Sequence, residues 1–314
     1  MEILEYDQVD PVDVLRLNLL SLDYPLTPER VALMRKLDER PFPCFAVYAV
    51  DEGVVAGQVG VYRLSVMTTE GPMDIGGACA VCTHPAFGRR GIASRLLDEA
   101  HNRMRDAGLR FSSLGTARHR SAYALYQHQG YEDVFITSST FARLEEVPCE
   151  SHLTAESAAS TRLDLADRFY QKTAAGYLGF ARRSRNFLAM MVATGDLSEG
   201  EVWLLWHGED LVGTAMASIS KPILTVNNLL LAEGMDACQA VAAIAKGRDV
   251  RYARIRVDHG SVAAGLGAGG YPSIQPDWST FMVKPLRPED TVEELRRLLG
   301  IGTERFLISY IDVT

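Results

Sequence analysis

The residues best suited to chemistry lie between Gly76 and Tyr131. At their centre is Gly88-Arg89-Arg90-Gly91-Ile92-Ala93-Ser94. It follows an apolar strand pattern, Ala78 to Thr83, and opens an amphipathic helical pattern with Ile92, Leu96, Leu97, Ala100 and Met104 on one face. A strand that turns into a helix leaves backbone N–H groups free at the positive end of the helix dipole, which makes an anion site. Gly88 and Gly91 let the backbone come close to a phosphate, and Arg89 and Arg90 add charge. The plainer reading is an ordinary strand–turn–helix with a solvated arginine pair. Within the preceding strand, Cys79-Ala80-Val81-Cys82 raises the question of a metal or redox pair. Residues three apart on a regular strand point to opposite faces, and no second C-x-x-C or His-x-x-x-His completes a zinc site. Two small side chains in a buried strand, and no metal, are therefore expected.

The elements that must position this turn extend downstream. Gly108 closes the helix, Arg110 to Thr116 has strand character, and Ser121 to Gln129 is a short helical pattern that carries Tyr123 and Tyr126 and ends at Gly130-Tyr131. Strand, phosphate turn, long helix, strand, short helix bearing a tyrosine, then Gly-aromatic and strand: this order resembles the GCN5-related N-acetyltransferase (GNAT) family, through about Leu144. The family's Gln/Arg-x-x-Gly-x-Gly/Ala pyrophosphate motif falls on Gly88-Arg89-Arg90-Gly91-Ile92-Ala93, with Gly at the first position where the family has Gln or Arg. The departure removes a side-chain contact and spares the backbone N–H groups.

The resemblance implies acetyl transfer from acetyl-CoA to an amine by direct attack. It implies that Val81, Cys82 and Thr83 line the pantetheine arm and that Gly88 to Ser94 (Gly88, Arg89, Arg90, Gly91, Ile92, Ala93, Ser94) hold the pyrophosphate. It also implies that Tyr126, four residues before Gly130, is the general acid for the departing thiolate. The plainer reading of Tyr126 is a buried aromatic. Asp74, His119 and the carboxylate of Thr314 stand as alternatives for the general base. A non-catalytic acyl-CoA-binding module is the alternative from another class.

The second half repeats the first. Ser121 to Tyr131 aligns with Ser261 to Tyr271, Ser139-Thr140-Phe141 with Ser279-Thr280-Phe281, and His119 with His259, all at one offset of 140 residues. Hairpin patterns at Val47 to Val61 and Val202 to Ala217 extend the match. The copy has lost the chemistry: Leu266 stands in place of Tyr126, and Leu231-Ala232-Glu233-Gly234-Met235-Asp236 in place of the Gly/Arg turn. Carboxylates at a helix mouth repel a pyrophosphate. The expected fold is α/β (α+β), as two GNAT-like units, each a mixed, largely antiparallel sheet flanked by helices. Residues 1–147 form the catalytic domain and residues 148–314 the degenerate one. The two are expected to pack through apolar sheet or helix faces.

Composition limits the partners. The chain has 314 residues, 47% hydrophobic, with a formal net charge of −8, which argues against nucleic acid and suits an amine-bearing small molecule or peptide. No apolar run reaches the ~18 residues of a membrane span, and no signal segment opens the chain. Five cysteines, an odd count, fit reduced thiols in a cytoplasmic protein. A homodimer is left open. No Gly-x-Ser-x-Gly elbow is present, and Gly265 to Gly270 follows no strand suited to a dinucleotide fold.

Overall fold

The computed structural model describes residues 1–314 apart from Pro41, Pro148, Asp258, Tyr310, Val313 and Thr314. In the first half, strand β1 (Glu2–Glu5) precedes helices α1 (Pro11–Leu22) and α2 (Pro28–Leu37). Both helices start where the sequence dictates. Asp10 accepts from the Val12 N–H ahead of α1, Thr27 accepts from the Arg30 N–H ahead of α2, and a proline holds the first turn of each. Each such cap contributes about 1 kcal/mol. Then come β2 (Ala46–Asp51), β3 (Val54–Thr68), β4 (Gly71–Thr83), α3 (Ile92–Asp106), β5 (Phe111–Ala117), α4 (Ser121–His128) and β6 (Glu132–Arg143).

The second half repeats this order after a short β7 (Thr154–Ser157), α5 (Leu163–Ala174), β8 (Leu178–Gly179) and α6 (Phe187–Ala193). It continues with β9 (Val202–His207), β10 (Asp210–Ser220), β11 (Ile223–Leu231), α7 (Ala237–Ala245), β12 (Tyr252–Val257), α8 (Gly260–Ala268) and β13 (Gln275–Pro285). The chain closes with α9 (Val292–Leu299) and β14 (Phe306–Leu307).

The strands form one continuous mixed sheet in the order β1-β2-β3-β4-β5-β13-β6-β12-β11-β10-β9-β7. That order is a palindrome of the repeat with one exchange at its centre. The last strand of each half lies in the sheet of the other: β13 pairs antiparallel with β5 (Phe281 opposite Gly115), and β6 pairs antiparallel with β12 (Phe141 opposite Arg254). Face-to-face packing of two closed units, expected from the sequence, is thus replaced by strand exchange across one sheet. A side-chain chain fastens the exchanged strand. Lys284 of β13 reaches His101 Nδ1 at 3.3 Å, and His101 Nε2 lies 2.8 Å from the Tyr131 hydroxyl, itself 2.7 Å from Ser112 Oγ. Burial, with Lys284 and Arg105 adding to it, pushes the His101 imidazole down to about 3, so it is neutral.

Apolar cores lie on both faces of the first half's sheet. On one face α3 packs Ile92, Leu96, Leu97 and Met104 against the strands. The close approach needs glycine: a Cβ on Gly57 would lie 2.8 Å from Ile92 Cγ2, and one on Gly76 would collide with Met104. On the other face α1 and α2 cover Tyr48, Val55 and Cys82 with Val14, Leu17 and Val31. The segment after β13 packs back on the first half, where Val292, Leu295 and Leu299 join Leu64, Val66 and Ile75. Among the described residues, no helix is long and apolar enough to cross a membrane.

Candidate functional site

Two irregularities open the first half's sheet. Strands β4 and β5 run parallel but pair only at Gly76–Ser112 and Gly77–Ser113; beyond those rungs they diverge into a wedge. Along the wedge β4 carries a bulge. Its register against β3 slips between Gln58 and Gly60, and Ala80 sits at φ +47°. The Ala80 carbonyl accepts from Gln58 Nε2 at 3.2 Å. The extra residue resets the alternation of side chains. Ala78 and Val81 face α3, whereas Cys82 packs beneath α1, and Cys79 lines a cavity with Asn18 of α1. Cys79 and Cys82 therefore share a face, which corrects the expectation from a regular strand. Burial pushes both thiols up to about 12, so neither is a poised nucleophile. Among the described residues no cluster of His, Cys, Asp or Glu could hold a metal ion.

The glycine–arginine turn sits at the mouth of the wedge. Arg89 has φ +61° and Gly91, the N-cap of α3, has φ +75°. No side chain caps α3, so the amides of Ile92, Ala93 and Ser94 have no partner from a capping residue; the first intrahelical bond runs from Arg95 N–H to the Gly91 carbonyl. Gly88, Arg89 and Arg90 are exposed, and Arg90 lies over the Phe87 ring at 4.8 Å and 3.6 Å from Asp51. The Ile92 side chain is in the core, so only its backbone can face a ligand. Thr83 offers its carbonyl to Ser21 Oγ at 3.3 Å.

Tyr126, on α4, packs in the same core cluster as Ile92, with Val81 against it, and its ring meets Tyr131 edge-on at 5.9 Å. Burial raises its hydroxyl to about 12, with Cys79 adding to the rise and Arg120 opposing it. A phenol so shifted stays protonated across the working pH range and can donate a proton. Tyr123 instead donates to Asp133 at 2.7 Å, and Tyr131 is committed to His101 and Ser112. The structure thus brings Val81, the turn and Tyr126 together on the α3 face, while the Cys82 side chain lies on the other.

Neither Asp74 nor His119 is gathered there. Asp74 lies at the start of β4, 3.5 Å from Arg63 and 41% exposed. His119 is exposed in the loop after β5, and Thr314 lies outside the described residues. Sequence reasoning missed a cavity of about 360 Å³ on the α1/α2 face. Its floor is the bulge, at Gly60, Cys79 and Ala80; Tyr24, Tyr48 and Tyr62 line it, and Met190, Met191 and Asp196 close it from the second half. No spacing in the sequence signals a wall made by a segment so remote.

The second half's equivalent is filled. Asp236 accepts from the Cys238 N–H and so occupies the N-terminus of α7 with a carboxylate. Helix α8 lies against that end: a Cβ on Gly265 would be 3.2 Å from Ala237 Cβ, and one on Gly269 would be 2.6 Å from Cys238 Cβ. His259, the N-cap residue of α8, is buried, and that burial lowers its imidazole pKa; its Nε2 lies 3.2 Å from the Leu229 carbonyl, with Ser261 Oγ 2.7 Å from its other nitrogen. Leu266 takes the place of Tyr126 in the core.

Comparison with known proteins agrees with this geometry. Residues 12–134 match the family described as acetyltransferase (GNAT) domain. No curated protein gives a significant match. Among solved structures, a GCN5-related N-acetyltransferase from Kribbella flavida superposes with a TM-score of 0.64 at 16% identity, over 91% of this chain and 72% of that one. A conserved protein of unknown function from Enterococcus faecalis V583, described as a probable N-acyltransferase, gives 0.68 at 13% over 91% and 72%. A tandem GNAT protein from the clavulanic acid biosynthesis pathway gives 0.56 at 13% over 92% and 99%. Residues 12–134 are thus similar to acetyltransferase (GNAT) domains, and the whole chain shares the fold of these GCN5-related structures, a tandem one among them.

Proposed function

We propose that the chain is an N-acetyltransferase that moves an acetyl group from acetyl-CoA to an amine, with one working site, in the N-terminal unit. The observation that carries this reading is the meeting of an uncapped helix N-terminus, a splayed strand edge and a protonated, buried Tyr126 at one wedge. We take residues 1–147 as the unit that supplies this site and 148–314 as the degenerate one, with β13 lent to the first.

In this reading the amides of Ile92, Ala93 and Ser94 hold the pyrophosphate, with Arg89 and Arg90 at its rim. The backbone edge of Val81, Cys82 and Thr83 pairs with the pantetheine arm as a peptide pairs with a sheet edge. An N–H at the bulge steadies the oxyanion as the amine adds to the thioester carbonyl. The C–S bond then breaks, the sulfur leaves with the electron pair, and Tyr126 gives it a proton. The carboxylates lining the cavity are already paired: Asp38 binds Arg40 at 2.6 Å, and Asp196 binds Arg30 at 2.6 Å and Tyr24 at 2.8 Å. The amine therefore attacks as the free base supplied by solution, and its proton leaves through water.

The test is thiol release from acetyl-CoA with a panel of amines. Turnover supports the transferase; tight binding of acetyl-CoA without turnover would replace it with a non-catalytic acyl-CoA-binding module.

A further inference from the structure

The cavity on the α1/α2 face is separate from the wedge mouth but shares its floor, the Ala80 bulge. It thus reaches that bulge from the side of the sheet opposite α3. At about 360 Å³ it lies at the small end of ligand pockets, which run from roughly 300 to 1,000 Å³. Its polar groups are almost all engaged. Asn18 and Gln58 exchange hydrogen bonds at 2.8 and 2.9 Å. Asp38 is held by Arg40, whose guanidinium lies over the Tyr62 ring at 4.4 Å. Asp196 takes bonds from Tyr24, Arg30 and Thr194. Tyr48 stands apart as the lining residue whose hydroxyl is both buried and unpartnered among the described residues. An unpaired buried hydroxyl costs about 1–3 kcal/mol, and a ligand group that pairs with it recovers that cost.

Resting on the reading proposed above, we infer that this cavity is the acceptor site, shared by both halves, and that it takes a primary amine on a compact apolar frame bearing one hydrogen-bonding group for Tyr48. The paired carboxylates leave no open negative charge for a polycation, and the wall from α6 is made of methionines, which adapt to apolar shapes. The degenerate half thereby contributes to the first half's site. Met190 and Met191 close the cavity, and Asp196 ties that closure to α2 through Arg30.

The experiment is steady-state thiol release by the full chain with acetyl-CoA and four probes: tyramine, phenethylamine, spermidine and kanamycin. The two aromatic amines should exceed spermidine and kanamycin in kcat/KM by at least about tenfold, as expected for burying an apolar frame. Tyr48→Phe should lower kcat/KM for tyramine by about 5- to 30-fold and leave phenethylamine within about twofold, since only the first has a hydroxyl to lose a partner. Met190→Trp, which fills the cavity, should raise the amine KM and leave the affinity for CoA unchanged. Preference for spermidine or kanamycin, an equal effect of Tyr48→Phe on both aromatic amines, or amine kinetics untouched by Met190→Trp would each overturn the inference. Calorimetric titration with CoA separates that failure from a failure of the underlying reading. Binding of CoA without use of any aromatic amine contradicts the acceptor site alone; absence of CoA binding contradicts the transferase.

Discussion

In the proposed reading Tyr126 supplies the proton to the leaving thiolate. Phe at this position keeps the ring and its packing against Tyr131 and deletes the proton donor. Tyr126→Phe should lower kcat by about 10- to 1,000-fold with little change in the KM for acetyl-CoA, because the proton moves only as the C–S bond breaks. Full kcat in this variant would make Tyr126 a core aromatic and nothing more. The raised hydroxyl has a second consequence. Raised to about 12 by burial, the hydroxyl keeps its proton well beyond the range of an exposed tyrosine. The rate should climb with pH as the acceptor amine loses its proton, with no alkaline fall below about pH 10, where an unshifted tyrosine would titrate. A descending limb near pH 9 in a pH–rate profile would assign the acid to another group. Tyr126 and the turn stand out as candidates in the sequence because glycine and proline punctuate the elements that hold them. Tyr48 could not: that its hydroxyl is buried and unpartnered depends on how α1 and α2 close over β2 and β3.

Elements explain what pattern alone missed. The C-x-x-C of β4 follows the alternation of a regular strand in the sequence, but one bulge residue at Ala80 reverses it, and no residue type there announces a bulge. Helix α6 is capped from a distance. Its own N-cap, Asn186, makes no side-chain cap, and Asp167 of α5 accepts the Leu188 N–H with oxygens at 3.2 and 3.4 Å. Burial drives that carboxyl up to about 7, against the opposing pull of the Leu188 amide and Arg183. A carboxyl whose folded pKa exceeds its unfolded value of about 3.9 contributes stability that is complete below that value and is lost as pH rises through the folded pKa. Thermal stability should thus decline between about pH 4 and 7 from this group. Asp167→Asn keeps an oxygen for Leu188 and removes the charge, so its melting temperature relative to the native chain should rise from pH 5 to pH 8. Parallel curves across that interval would mean that Asp167 does not titrate there.

At the scale of the molecule, the exchanged strands decide what can be separated. The sequence repeat at a fixed offset is plain, yet nothing in it distinguishes two closed units from two that trade their last strands, since β6 and β13 carry the same Ser-Thr-Phe at that offset. A chain ending near Glu150 loses β13, which pairs with both β5 and β6 at the centre of the sheet. It also loses the buried Arg183–Asp312 pair and the α6 wall of the cavity. Such a fragment should be insoluble or inactive, because it bares paired strand edges and apolar surface. Co-expression with residues 151–314 should restore soluble material, and a soluble, fully active fragment would show that the second half is dispensable. The two halves differ where a ligand would bind: an uncapped turn with Arg89 and Arg90 in one, and Asp236 with α8 filling the corresponding place in the other. Calorimetric titration of the full chain with CoA tests that difference most directly. One site per chain is expected, weakened by Arg89→Glu with Arg90→Glu and unaffected by Glu233→Ala; two equivalent sites per chain, or undiminished binding after the charge reversal, would contradict a single working half.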